Sequence, residues 1–146
     1  DAAKTAEAYL DPHTFTLGDV GRVDADGYVY LADRRAHTII SGGVNIYPAE
    51  IEQVLQEHPA VADVAVFGVP DDEWGESVKA VVQLEQGREP SPALAAELLA
   101  FARTRLAGYK VPRSLDFEAE LPRTPAGKLA VRLLRDRHWQ GTGRRI

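Results

Sequence analysis

Three loops in the sequence hold residue types able to act on a ligand. In Leu17-Gly18-Asp19 an acid follows a glycine at the start of an extended stretch. A carboxylate there can accept two hydrogen bonds from a diol such as that of a ribose. Next, Asp33-Arg34 leads to Ser41-Gly42-Gly43. Arg34 could donate to a nucleotide sugar, and paired glycines let backbone approach a ligand closely. Last, residues 121–128 read Leu-Pro-Arg-Thr-Pro-Ala-Gly-Lys. A lysine ending a mobile Pro/Gly loop is a point charge with a long reach. Phosphoryl and acyl-phosphate chemistry needs such a cation where negative charge develops. Each loop also has an ordinary reading: a turn aspartate, a salt-bridged linker before a common turn, and one more exposed lysine. No loop decides function alone.

Other chemistries lack support. His13, His37, His58 and His138 are scattered without ligand spacing, so no metal site is expected and each reads as a surface residue. Neither a G-x-S-x-G elbow nor a phosphate-binding P-loop occurs.

The elements that must position these loops follow from local pattern. Residues 1–14 are polar and alanine-rich without sustained apolar periodicity, and read as a loop or tail. Val20–Val23 and Tyr28–Leu31 flank Asp26-Gly27, which suits a β-hairpin too poor in apolar residues to stand alone. Ser41-Gly42-Gly43 must turn. Pro48 suits a first helical position, with Glu50 and Glu52 facing the positive helix end and Ile51, Val54 and Leu55 forming its stripe. Val61–Val69 and Val78–Leu84 read as strands joined through the loop 71–75. Ser91-Pro92 opens a second helix with Leu94, Leu98, Leu99, Ala102 and Leu106 inward, stopped by Gly108. A short strand at Leu115–Phe117 and a last helix at Leu129–Arg135 complete a small α+β fold: two layers, a few-stranded sheet packed by helices.

Composition bounds the rest. The 146 residues are 45% hydrophobic and 27% charged, a globular balance for one ordinary domain. Cysteine is absent, which excludes disulfides, thiolate sites and a cysteine nucleophile, and suits a reducing cytoplasm, the expected location. A net charge of −5 offers no broad attraction to nucleic acid. The late arginines Arg132, Arg135, Arg137, Arg144 and Arg145 read as a solvated face and a tail. No apolar run is long enough to span a membrane. With Asp1 first and no methionine, a processed product or a fragment is expected.

Taken together and in order, these stretches resemble the adenylate-forming superfamily of acyl-CoA synthetases, aryl-CoA ligases, luciferases and peptide-synthetase adenylation domains. The resemblance runs from Phe15 to Arg135. It is carried by Gly18-Asp19 through Arg22, Asp26-Gly27-Tyr28, Asp33-Arg34, the run Ile39–Pro48, Ala49–Glu52, His58–Val61, Val66–Asp71, Trp74-Gly75 and Leu121–Lys128. It implies the carboxyl-terminal domain of a two-domain acyl-CoA synthetase. Residues 1–33 would end the large amino-terminal domain, 34–37 form a hinge, 38–135 a mobile lid and 136–146 a tail.

Roles follow by position. Asp19 and Arg34 match residues that hold the ribose of ATP and of the acyl-adenylate. Lys128 matches the catalytic lysine of adenylation. Gly42 and Gly43 match the loop of the thioester step, which lines the pantetheine passage. Trp74, Tyr109 and Arg113 fall near positions that receive the nucleotide of CoA in some relatives. Ala36 stands at the hinge, where a polar or charged residue is usual, and Ala126 replaces a small hydroxyl residue before Gly127-Lys128. The implied ligands are ATP, Mg2+ held mainly by the missing domain, CoA and a carboxylic acid, with fatty acids expected first. The implied partner is the protein's own large domain, and the fragment alone is expected to be inactive. CoA ligation is favoured because Ile39–Glu52 resembles aliphatic acyl-CoA synthetases. Loading of a carrier protein and a non-catalytic binding module are the alternatives.

Overall fold

The computed structural model describes residues 2–34 and 37–140, apart from the side chains of Lys4, Ala32 and Arg34. The chain divides into two compact units, Asp1–His37 and Thr38–Ile146.

The first unit begins with helix α1 (Ala2–Ala8) and a small hairpin, β1 (Tyr9–Asp11) with β2 (Thr14–Phe15). This corrects the reading of residues 1–14 as a loop. The alanines favour helix, and the Tyr9 and Phe15 rings, 5.7 Å apart, close the hairpin across its register pair. The expected second hairpin is present as β3 (Asp19–Val23) and β4 (Val29–Arg34). Its turn is built by Asp24, whose carboxylate accepts from the amides of Asp26 and Tyr28 and from the Tyr30 hydroxyl. The Tyr30 hydrogen bond, above the backbone ones, holds that carboxyl below its ordinary range. Gly21 is required for close approach, since a Cβ there would lie 2.5 Å from the Tyr30 carbonyl oxygen. Val23, Tyr28, Val29 and Leu31 all remain exposed, as expected of a hairpin too small to bury its own apolar groups.

The second unit is a five-stranded sheet with helices on both faces. Its strands are β5 (Ile39–Ser41), β6 (Val44–Ile46), β7 (Val61–Asp71), β8 (Gly75–Leu84) and β9 (Ser114–Phe117). The long β7–β8 hairpin is its spine. β5 meets β8 near Gly75, and β9 runs parallel to β8 from Lys79 to Val82. Helix α2 (Pro48–Gln56) and helix α3 (Pro92–Arg103) cover one face. There Ile51, Leu55, Leu98 and Ala102 pack on Val64, Val66, Val78, Ala80 and Val82. Helix α4 (Val131–Trp139) covers the other, with Leu134 and Leu121 against Ala65, Phe67 and Val81. The α+β class is as expected. The helices form one layer more than the two anticipated, because both faces of β7 are apolar.

Three further details differ from the sequence reading. Helix α3 ends at Arg103, and Gly108 instead opens a 3-10 turn, Gly108–Lys110. Helix α4 continues through Trp139 rather than stopping at Arg135, because the Trp139 indole donates to the Gly68 carbonyl at 2.9 Å. His58 is buried rather than on the surface. Its Nδ1 accepts from the Ala60 amide, its Nε2 lies 3.3 Å from Glu97, and its ring meets Phe101 edge-on. Ser91 caps α3 as expected, with Oγ accepting from the Leu94 amide at 3.1 Å. Ser91→Ala should therefore lower stability by about 0.5–2 kcal/mol. Denaturant titration of the chain would check this, and an unchanged midpoint would show that the cap carries no net stability.

Candidate functional site

The residues that could act on a ligand fall on three surfaces, two of them at opposite ends of the β7–β8 hairpin. At one end lies the turn between β5 and β6. Its central residues Gly42 and Gly43 have φ of +56° and +79°, the signature of a type I′ turn. The Gly42 amide donates to the Trp74 carbonyl at 2.8 Å, and the Trp74 ring packs against the glycine. A Cβ at Gly42 would sit 2.5 Å from Trp74 Cε3, whereas one at Gly43 would meet nothing within 4 Å.

Trp74 is held in turn by Asp71, whose Oδ1 accepts from the amides of Glu73 and Trp74. The Trp74 amide is the chief cause that keeps the Asp71 carboxyl below its ordinary range, helped by Glu73, by the Arg113 charge and by Ser77. Arg113 reaches Asp71 at 3.5 Å and stands 5.3 Å from the Trp74 ring centre. Gly42, Trp74 and Arg113 are thus brought together as a partly exposed surface of indole and guanidinium. Tyr109 is exposed on the neighbouring 3-10 turn. Its ring faces the Lys110 ammonium at 5.8 Å, and Lys110 is paired with Glu50. Among the described residues no hydrogen bond or ring contact joins Tyr109 to Trp74 or Arg113. Sequence reasoning gave Asp71 no role. Its signal was an aspartate followed by amides two and three residues on, the usual side-chain-capped turn.

At the other end stands the lysine hairpin. The sequence reading made it a mobile loop, but both stems are hydrogen-bonded. Arg123 bridges to Leu129, the Thr124 amide donates to the Lys128 carbonyl at 2.7 Å, and the Lys128 amide donates to Thr124 Oγ1. Gly127, at φ +78°, makes the bend. Arg123 spans the hairpin, donating to the Gly127 carbonyl and pairing with Asp63 on β7. The Leu121 amide donates to the Gln83 side chain, and Gln83 is the register partner of Asp63. Lys128 is exposed, and its ammonium has no hydrogen bond or ion pair to the described residues.

Asp63 anchors one end and Asp71 the other. They stand eight positions apart along strand β7, or about 26 Å at ~3.3 Å per residue. The lysine and the glycine turn therefore cannot serve one reacting atom in a single pose.

In the first unit, Gly18 has φ +76° and its amide donates to Thr16 Oγ1. The exposed Asp19 is the direct register partner of Arg34 across β3 and β4, so the two backbones the sequence singled out lie side by side. The Arg34 side chain and the hinge candidate Ala36 lie outside the described residues. No group of acids and histidines suited to a metal occurs among the described residues, and no described helix is long and apolar enough to cross a membrane.

A mixed-sheet unit with a glycine turn at one end and an exposed Gly-Lys hairpin at the other, preceded in sequence by a hairpin that sets the Asp19 and Arg34 backbones in register, fits the carboxyl-terminal domain of an adenylate-forming enzyme. Comparison with known proteins agrees. The chain belongs to the AMP-binding enzyme C-terminal domain family, whose pattern it matches over residues 50–128. It is 46% identical to the fatty acid–[acyl-carrier-protein] ligase ScoC of Streptomyces coeruleorubidus over 98% of its length, which is 27% of that protein. It is 49% identical to a long-chain-fatty-acid–CoA ligase of Bacillus subtilis over 90% of its length, 23% of that protein. Among solved structures, an ATP-bound RpMatB-BxBclM chimera superposes with a TM-score of 0.87 at 39% identity, covering 95% of this chain and 28% of the other. The chain thus spans about a quarter of the length of the relatives it matches.

Proposed function

We propose that this chain is the lid-bearing end of an AMP-forming acyl-CoA ligase. In the first half-reaction a carboxylate attacks the α-phosphate of ATP, pyrophosphate leaves and an acyl-adenylate forms. In the second a thiol displaces AMP and a thioester results. The observation that carries the reading is the separation of Lys128 from the Gly42-Gly43 turn along β7. The first half-reaction gathers negative charge and calls for a cation. The second must admit a bulky thiol and calls for a surface without side chains. One small domain with the two tools at opposite ends serves both steps only by rotating between them.

In this scheme Asp19 and Arg34 hold the nucleotide ribose in both steps, and Lys128 offsets charge in the first. Gly42 and Gly43 line the pantetheine passage in the second, with Trp74, Arg113 and Tyr109 facing the CoA nucleotide. The rotation is assigned to residues 34–37, about Ala36, between a large-domain end at 1–33 and a lid that begins at 38 and, with α4 running through Trp139, extends past the expected end at 135. Mg2+ and the acyl pocket would belong to the large domain. That domain would also cover the exposed apolar residues of β3 and β4. The cytoplasm is the proposed location, and a fatty acid the proposed first substrate, after the naming of both relatives above.

A second reading has its own support. The Streptomyces coeruleorubidus relative matches nearly the whole chain and is named as a ligase of acyl-carrier protein. The thiol acceptor would then be a carrier-bound pantetheine.

The test uses the full-length gene product that contains this chain, given ATP, fatty acids and either CoA or a carrier protein. Acyl-CoA, AMP and pyrophosphate formed in equal amounts would support the first reading. Product formed only with the carrier protein would favour the second. No AMP release with any acid would sink both. The 146-residue chain alone should release neither AMP nor thioester, and turnover near about 1 per second would overturn the claim that it is only a part.

A further inference from the structure

Among the described residues, three polar contacts stand out in tying the glycine turn to the rest of its unit. Two are backbone contacts: the ladder pair of Ser41 with Gly75, and the Gly42 amide on the Trp74 carbonyl. The third is a side chain. Glu76 Oε2 accepts from the amide of Ile40, two residues before Gly42, at 3.0 Å. Its other oxygen faces Arg135 of α4 at 3.5 Å, with both side chains largely buried.

The site is shaped for this carboxylate. A Cβ at Gly68 would lie 2.4 Å from Glu76 Oε2 and 3.2 Å from the Ile39 side chain, so only glycine leaves it room. Arg135 is held from the far side by the Trp139 ring, 5.4 Å away, and the Trp139 indole donates to the carbonyl of the same Gly68. A continuous set of contacts therefore runs from the end of α4, through Arg135 and Glu76, to the strand that carries the turn.

The Glu76–Arg135 pair is a poor stabiliser. It is long, and the buried Arg135 Nε–H has no acceptor among the described residues. Burying charges with a donor left unpaired costs more than such a contact returns. A pair of this kind is better explained by the position it fixes. We infer that Glu76 is a positioning residue for the thioester step: it sets the direction of the Gly42-Gly43 turn and is itself set by Arg135. This rests on the two-step reading above and adds to it a dependence of the second step on the end of α4.

The experiment compares half-reactions in the full-length enzyme. Pyrophosphate exchange reads adenylation, and single-turnover transfer from preformed acyl-adenylate reads thioester formation. Glu76→Ala is expected to slow transfer by about 10-fold, the effect of leaving one amide unpaired, with adenylation within ~2-fold. Glu76→Gln keeps an oxygen for the Ile40 amide and should recover transfer to within about 3-fold of the original rate. Arg135→Met should weaken transfer without lowering thermal stability, and it keeps the inference testable if Glu76→Ala does not fold. Equal loss of both half-reactions, or transfer untouched in both Glu76→Ala and Arg135→Met, would overturn the assignment to Glu76 alone. A wild-type enzyme that performs neither half-reaction would overturn the two-step reading, and this inference with it.

Discussion

Lys128→Ala in the full-length enzyme should slow adenylation by about 100- to 1000-fold, the usual loss of ~2.7–4 kcal/mol for one group aimed at developing charge. Transfer from preformed acyl-adenylate should stay near its original rate. The substitution is a clean one. Lys128 is exposed, and the hydrogen bonds that close its hairpin use its backbone amide and carbonyl, not its ammonium. Alanine leaves those bonds in place, so the fold should not register the change. Arginine restores charge but not a compact point charge, and should recover only part of the rate. Arg123 gives an internal comparison. It braces the hairpin against Asp63 and the Gly127 carbonyl. Arg123→Ala should therefore also depress adenylation, by loosening the lysine rather than deleting it. Equal damage to both half-reactions in Lys128→Ala would remove the role given to it. Acylation of the ammonium, which removes its charge, should reproduce the alanine result.

What the sequence made legible was local. Pro48 at a helix start, Ser91 as a cap, the turn at Gly42-Gly43 and the hairpin about Asp26-Gly27 each follow from backbone chemistry within a few residues, and each is present. The apolar stripes of α2 and α3 likewise named the residues that pack on the sheet. What was missed depends on pairing across the sheet. The burial of Lys79 follows from a parallel β9 that brings Asp116 to 2.8 Å from its ammonium, and no local pattern announces that strand order. The second helical layer follows from α4 finding Phe67 and Val81, which lie on the neighbouring strands β7 and β8 but 14 positions apart along the chain. The unbroken apolar run at Val64–Phe67 was the one available sign, since a strand buried on both faces does not alternate.

The site divides in the same way. Its chemical residues stood out by type and order, and the sheet places them by register. That Trp74 roofs Gly42, or that Lys128 lies a whole strand away from both, requires knowing that β5 meets β8 at Gly75 while Asp63 lies opposite Gln83. Glu76 gave no signal beyond being one acid among many. Its partners lie 36 and 59 residues away along the chain.

Gly43→Leu should spare adenylation and reduce thioester formation by about 100-fold or more, the scale of a reacting group displaced by ~1 Å or excluded outright. The two turn glycines differ in a way that makes this test sharp. At Gly42 any side chain collides with Trp74, 2.5 Å from where Cβ would stand, so a larger residue there disturbs the unit itself. At Gly43 a Cβ meets nothing within 4 Å. The cost inside the unit is then confined to the backbone, because a φ of +79° disfavours any residue with a Cβ by about 1–2 kcal/mol. Gly43→Ala carries nearly the same backbone cost with little bulk, so it separates strain from obstruction. Under the proposed mechanism Ala should transfer well and Leu should not, because only Leu fills the passage that the turn lines after rotation. Both variants should exchange pyrophosphate normally, since Lys128 and not the turn faces the reaction in that step. If Ala and Leu fail alike, strain in the turn explains the loss and the passage is not needed. If Leu lowers both half-reactions together, the substitution has damaged the fold. If Leu transfers at the original rate, the thiol enters elsewhere, and the glycine pair is only the tight turn that its φ values require.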